Sequence, residues 1–192
     1  MRNSLKTVLI LALGFTSLTA FSQEQAKGYV YHDANGNGKK QRREAGLSGV
    51  SISNGQEVVQ TDENGYYEIG LKDGQLLFVI KPTGYTVALD SLNKPQFYYI
   101  HKPSGSPELK YAGSSPTGEL PKEINFAMTA VEEPDEFTAL IFGDPQPYTL
   151  EEVDFFDRGI VSEVEGIQDV AFGLSLGDLV GDDLSLFGPY AK

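Results

Sequence analysis

Gly49-Val-Ser-Ile-Ser-Asn-Gly-Gln-Glu-Val-Val-Gln-Thr-Asp-Glu-Asn-Gly-Tyr-Tyr-Glu-Ile69 is the stretch on which the fold turns. Val50 and Ile52 alternate with serines, the period of two that marks a strand with one buried face. Glu57–Thr61 reads as a second strand, Asp62-Glu-Asn-Gly65 as a turn cluster and Tyr66–Ile69 as a third strand. Upstream, Gly28–Tyr31 alternates in the same way. Downstream, Lys72-Asp-Gly74 precedes the apolar run Leu76–Ile80. Short strands at intervals of about 8–12 residues, with Gly, Asn and Asp between them, predict a β-sandwich. Residues 27–130 form that expected domain. Its later part, Ser91–Pro121, is punctuated by five prolines, with Phe97–Ile100 as an aromatic strand. Pro121–Thr129 is the expected last strand, with Ile124, Phe126 and Met128 on one face.

The composition narrows the function. The chain has 192 residues, 40% of them hydrophobic, which is enough for a real core. Its formal net charge is −12, so nucleic acid is not expected as a partner. No Cys is present, which excludes disulfides, zinc–thiolate sites, a cysteine nucleophile and lipid attachment at a lipobox. The two histidines, His32 and His101, read as ordinary surface residues.

Met1–Ser22 has the three parts of a secretory signal peptide. Arg2 and Lys6 precede the apolar Val8–Phe15, and Ala20-Phe-Ser22 places small residues before a cleavage at Gln23. The apolar run is too short to span a bilayer, and no later one is longer, so no membrane span is expected after cleavage. Cleavage removes two cations and no acid, moving the charge from −12 to −14. The expected location is periplasmic or secreted.

One loop has a specific spacing. Asp33, Asn35, Asn37, Gly38 and Glu44 satisfy D-x-[DN]-x-[DN]-G-x5-E, the pattern of a calcium loop. Lys39, Lys40, Arg42 and Arg43 oppose a cation there, and the flanks read as strands rather than helices. The loop reads equally well as calcium-binding or as an Asn/Gly turn held by its own side chains. The segment Gly28–Ile69 carries G-x-V, D-x-N-x-N-G, E-x-G-L-x-G-V and T-D-x-x-G-x-Y. In these it resembles exported B-repeat and carboxypeptidase-regulatory-like modules. The resemblance implies an Ig-like or transthyretin-like sandwich, with Phe78–Tyr85 as its closing strand. Many such modules are spacers or accessory domains without chemistry of their own, so a non-catalytic cell-surface or carbohydrate-binding module is the alternative reading, and a structural spacer a third.

After the acidic, Pro-containing linker 131–136 the pattern changes. Phe137–Phe142 is apolar throughout, as for a strand buried on both faces. Gly143-Asp144-Pro-Gln146 follows it. Thr149-Leu-Glu-Glu152 matches a capping box, Val153, Phe156, Ile160 and Val164 fall at helical spacing, and Gly166 stops the helix. Asp169–Leu176 is a second apolar strand, ending in Gly177-Asp178 and Asp182-Asp183. Strand, helix, strand makes a parallel pair with a right-handed crossover. Asp144 and Asp178 then emerge at one edge, where open α/β sheets bind ligands. Two carboxylates held together call for cations, and two divalent ions roughly 3.5–4 Å apart make a hydrolytic centre.

G-D-x-[HQ] after one strand and G-D-x-x-x-D after the next resemble the first two blocks of the calcineurin-like metallophosphoesterases. The resemblance implies that 137–192 is the first β-α-β unit of an α/β (αββα) domain, with Asp144 and Gln146 on one metal, Asp178 bridging two, and Asp182 supporting the loop. It implies a phosphate mono- or diester as substrate and Mn, Fe or Zn as the ions. Gln146 stands where His is usual, which favours a harder ion such as manganese. The family's later Asn-His, lone His and Gly-His-x-His do not occur before Lys192. The chain is accordingly expected to be an inactive amino-terminal fragment, with an unfinished sheet edge that invites aggregation.

Overall fold

The structure, a computed structural model, describes residues 23–92, 94–111 and 113–192. The expected signal segment Met1–Ser22 lies outside the described residues.

The region before Phe137 is built of strands, as its alternation predicts. Strands β1 (Glu24–His32), β4 (Tyr66–Leu71), β6 (Tyr85–Val87) and β8 (Phe126–Ala130) form one sheet in the order β4-β1-β8-β6. Strands β2 (Ser51–Ser53), β3 (Val58–Gln60), β5 (Gln75–Val79) and β7 (Tyr98–His101) form a second, in the order β3-β2-β5-β7. Every pairing in the two sheets is antiparallel except β1 with β8, which is parallel and sets Val30 opposite Phe126.

The alternation names the buried side chains correctly. Val50 and Ile52 are buried, as are Ile124, Phe126 and Met128. With Val30 of β1, Tyr67, Ile69 and Leu71 of β4, and Leu77 and Val79 of β5, they form one core shared by both sheets. Each such aliphatic side chain contributes about 1.5–3 kcal/mol on leaving water. The Tyr67 hydroxyl, carried into this core, donates to the Ile124 carbonyl at 2.6 Å, so its polar end is satisfied.

Two sequence expectations need correction here. Phe78–Tyr85 is not one closing strand. β5 ends at Val79, the chain turns through Lys81–Gly84, and Tyr85 opens β6 in the other sheet. Gly84, at φ +77°, takes the left-handed conformation that this switch requires. His101 is not a surface residue either; it is 1% exposed. It lies on β7 opposite Gln75, stacked on Tyr99 at 6.2 Å, with Nε2 at 3.3 Å from Glu24 Oε1. The imidazole's flat apolar faces make that burial possible. His32 is half-buried and meets Tyr85 edge to face.

Val131–Glu136 is tied down at its start. Val131 N–H donates to Gly84 O at 2.9 Å, and the Glu133 carboxylate takes Lys81 Nζ and Gly84 N–H. The Lys81 ammonium, then the Gly84 N–H, holds the Glu133 carboxyl below its ordinary value.

Beyond it, β9 (Thr138–Phe142) and β10 (Val170–Ser175) pair in parallel. Between them α1 (Leu150–Phe156) continues through a wider π-type turn at Asp157–Val161 to Val164, and Gly166 follows at φ +82°. The expected burial on both strand faces is absent. Phe137, Ile141, Phe172, Leu174 and Leu176 are all about half exposed or more. Among the described residues, Phe137 meets Phe172 ring to ring at 5.9 Å, and Phe142 meets Phe156, which stacks on Tyr190; these contacts leave most of this apolar surface open.

Candidate functional site

The parallel register decides what meets at the strand ends. Ser175 lies opposite Phe142, so each chain leaves its strand at the same level. Leu176 N–H donates to Phe142 O at 3.0 Å and carries the ladder one residue further. Gly177 then faces Asp144. A Cβ on Gly177 would stand 2.9 Å from the Asp144 Cβ and Cγ, closer than real Cβ contacts come, so the Asp144 side chain lies over this glycine. The glycine is required for that close approach rather than for a turn. Gly143, by contrast, has open space at its Cβ position.

Gln146 is fixed to Asp178 twice. Its N–H donates to Asp178 O at 2.9 Å, and its Nε2 to Asp178 Oδ2 at 2.8 Å. Its φ of +39° lies in the left-handed region, unfavourable for a residue with a Cβ. Backbone strain of about 1–3 kcal/mol persists only where surrounding bonds enforce it, and such positions cluster at functional sites. Gly181 N–H closes the second loop onto Pro147 O at 2.8 Å, beneath the Tyr148 ring.

The capping box forms as expected. Thr149 Oγ1 accepts from Glu152 N–H at 3.2 Å, and the Glu152 carboxylate takes the Tyr148 and Thr149 N–H groups. It starts α1 at Leu150, with the cap three residues past Gln146. Asp144, Gln146 and Asp178 thus stand at one strand edge, Asp144 and Asp178 exposed to solvent and Gln146 half-buried. Asp182 is also exposed. The bond that organises its loop is made by Asp183, whose Oδ1 accepts from Ser185 N–H at 2.9 Å at the start of the turn Leu184–Leu186. The Ser185 hydroxyl, then its N–H, holds the Asp183 carboxyl below its ordinary value. The strained Gln146 backbone and the Asp183 cap left no pattern in the sequence that singles them out for these tasks.

The donor chemistry suits a divalent ion in part. Two carboxylates and one amide oxygen are the hard donors that magnesium- and manganese-type ions accept. They make one side of a centre. Among the described residues, no group of three or more His, Asp or Glu comes together to hold a metal ion.

Residues 34–111 match the family described as the N terminal of calcineurin-like phosphoesterase. No curated protein matches the chain. The family match points to a phosphoesterase family, one that generally binds divalent metals. It spans β2 to β7 and ends before Asp144, so it bears on the β-rich region and not on the strand edge.

Most of the Asn-rich loop lies inside the matched segment. Asp33 is buried, and its Oδ1 and Oδ2 accept from Asn37 and Gly38 N–H at 3.2 and 2.7 Å. Burial pushes this carboxyl up, but the backbone N–H groups of Gly38, Asn37, Gly36 and Asn35 outweigh it and hold it below the ordinary value. Asn35 Oδ1 accepts from Asn37 N–H and Asn37 Oδ1 from Lys39 N–H. Glu44 Oε2 accepts from Gln41 N–H at 2.7 Å.

Proposed function

We propose that this sequence belongs to an exported, metal-dependent phosphoesterase that hydrolyses a phosphate mono- or diester. In this reading residues 27–130 are an Ig-like or transthyretin-like accessory sandwich, 131–136 a linker, and 137–192 the start of the catalytic domain. Asp144, Gln146 and Asp178 are its first metal ligands. The observation that carries the proposal is the double attachment of Gln146 to Asp178 beside an Asp144 that lies over Gly177. Three oxygen donors from two different loops are thereby held at one edge before any ligand arrives. Such pre-organisation lowers the cost of binding.

The chain's own contribution is charge and position. Asp144 and Asp178 supply the negative charge that would hold two divalent ions, with manganese, iron or zinc as candidates. Gln146 gives its amide N–H to Asp178, which leaves Oε1 as the free donor. Ions so placed supply positive charge to a phosphate ester and acidify water for attack. No histidine stands at this edge to protonate a leaving group, since His32 and His101 belong to β1 and β7. We read the 192 residues alone as inactive for that reason.

The alternative, a non-catalytic surface or carbohydrate-binding module, draws on the exposed Phe97 and Tyr98 at the start of the edge strand β7. The coding sequence past Lys192 separates the two readings. Asn-His and Gly-His-x-His downstream, with manganese-dependent hydrolysis of p-nitrophenyl phosphate by the longer product, are the expected result. A stop codon or further sandwich repeats in their place would refute the phosphoesterase reading.

A further inference from the structure

The loop Asp33–Glu44 plays no part in the phosphoesterase reading, and its ends are fastened independently of it. His32 N–H donates to Ala45 O at 2.9 Å, and Asp33 N–H to Met128 O at 2.8 Å. The loop therefore leaves β1 and returns to it as a closed excursion. Within it, buried polar atoms lack partners. Glu44 is 9% exposed and its Oε1 accepts no hydrogen bond, although Oε2 is occupied. Tyr31 is fully buried, and its hydroxyl has no partner either. Leaving a carboxylate oxygen and a hydroxyl unsatisfied in a protein interior is costly. A cation satisfies the carboxylate oxygen.

We propose that the loop binds one calcium ion through Asp33, Asn35, Asn37, the Lys39 carbonyl and Glu44, with the unpartnered Glu44 Oε1 as the donor held in reserve for it. Asp33 and Asn37 already accept backbone N–H groups, but each carbonyl-type oxygen has a second lone pair to offer. All the donors are oxygen, which selects a hard ion, and their number suits calcium better than magnesium. Two carboxylates among four basic neighbours place the dissociation constant at about 0.1–1 mM, the range of extracellular modules. The ion would pin the end of β1, and through the Asp33–Met128 bond its junction with β8.

The test uses the full chain, first freed of divalent ions. Terbium is added with excitation through tyrosine, since the chain has no Trp, and calcium is then titrated as competitor. Thermal unfolding is followed in parallel. The expected result is saturable terbium emission displaced by calcium, and a midpoint raised by about 5 °C at 10 mM calcium. Glu44→Gln, which removes charge and keeps shape, should weaken binding about tenfold or more, and the exposed Asn35→Ala should weaken it without altering the fold. The calcium-displaced emission that Glu44→Gln loses should persist in Asp144→Asn with Asp178→Asn, even though that pair also removes any ion held at the strand edge, which separates the two sites. Absent emission and an unmoved midpoint at 10 mM calcium would overturn the proposal. So would wild-type affinity in both loop variants, or binding abolished by the Asp144/Asp178 pair.

Discussion

Single residues hold the strand edge together, and Gly177 is the most exposed to test. Its missing Cβ is the space that Asp144 occupies. Gly177→Ala should displace the Asp144 carboxylate and lower manganese affinity about tenfold or more, on the scale of lost metal-site support. Gly143→Ala, with open space at the same atom, should leave affinity near wild type; calorimetric titration of both variants checks this. Asp33 gives the pH prediction. Its carboxyl is held below the ordinary value in the folded chain, so its stabilising effect is present above the unfolded value, about 3.9, and is lost as pH falls through the folded value. Urea midpoints measured in chelator should be flat from pH 7 to 5 and drop below about pH 4, less steeply in Asp33→Asn. What the sequence could not disclose at this scale was conformation. A glutamine carries no mark of positive φ, and His101 looked like a surface residue because polarity was read without the strand face it falls on.

At the scale of elements, period-two alternation was the legible signal, and it worked wherever a strand had one buried face. Val50 with Ile52, and Ile124 with Phe126 and Met128, declared their sides before any partner was known. Ile52→Ala or Met128→Ala, each emptying a fully buried position, should cost about 2–5 kcal/mol in urea unfolding. Alternation does not name a neighbour, so the parallel pairing of β1 with β8 was not legible. Nor was β6, a strand of three residues whose burial is only partial. The capping box was legible because it is a local, side-chain-to-backbone pattern. Thr149→Ala should cost α1 about 1 kcal/mol, read as lost helical signal near its start. The wider turn at Asp157–Val161 followed no pattern in the apolar spacing.

The whole molecule divides by how well its apolar surface is used. The β-rich region encloses its core, whereas β9 and β10 leave Phe137, Ile141, Phe172, Leu174 and Leu176 open to solvent. Composition signalled strands buried on both faces, and the described residues cover only part of that surface. An exposed apolar sheet is a site of association. Light scattering of the chain should rise with concentration, and Leu176→Glu, at a position 69% exposed, should reduce it at little cost in stability. Among the described residues no helix is long and apolar enough to cross a membrane. The acidic charge and the two-loop edge together leave cation binding as the property on which the phosphoesterase reading rests. Manganese titration of the full chain, followed by the loss of the free-ion paramagnetic resonance signal, tests it directly. The account predicts a saturable site that persists in Glu44→Gln and disappears in Asp144→Asn with Asp178→Asn; equal manganese binding by the wild-type chain and that double variant would contradict it.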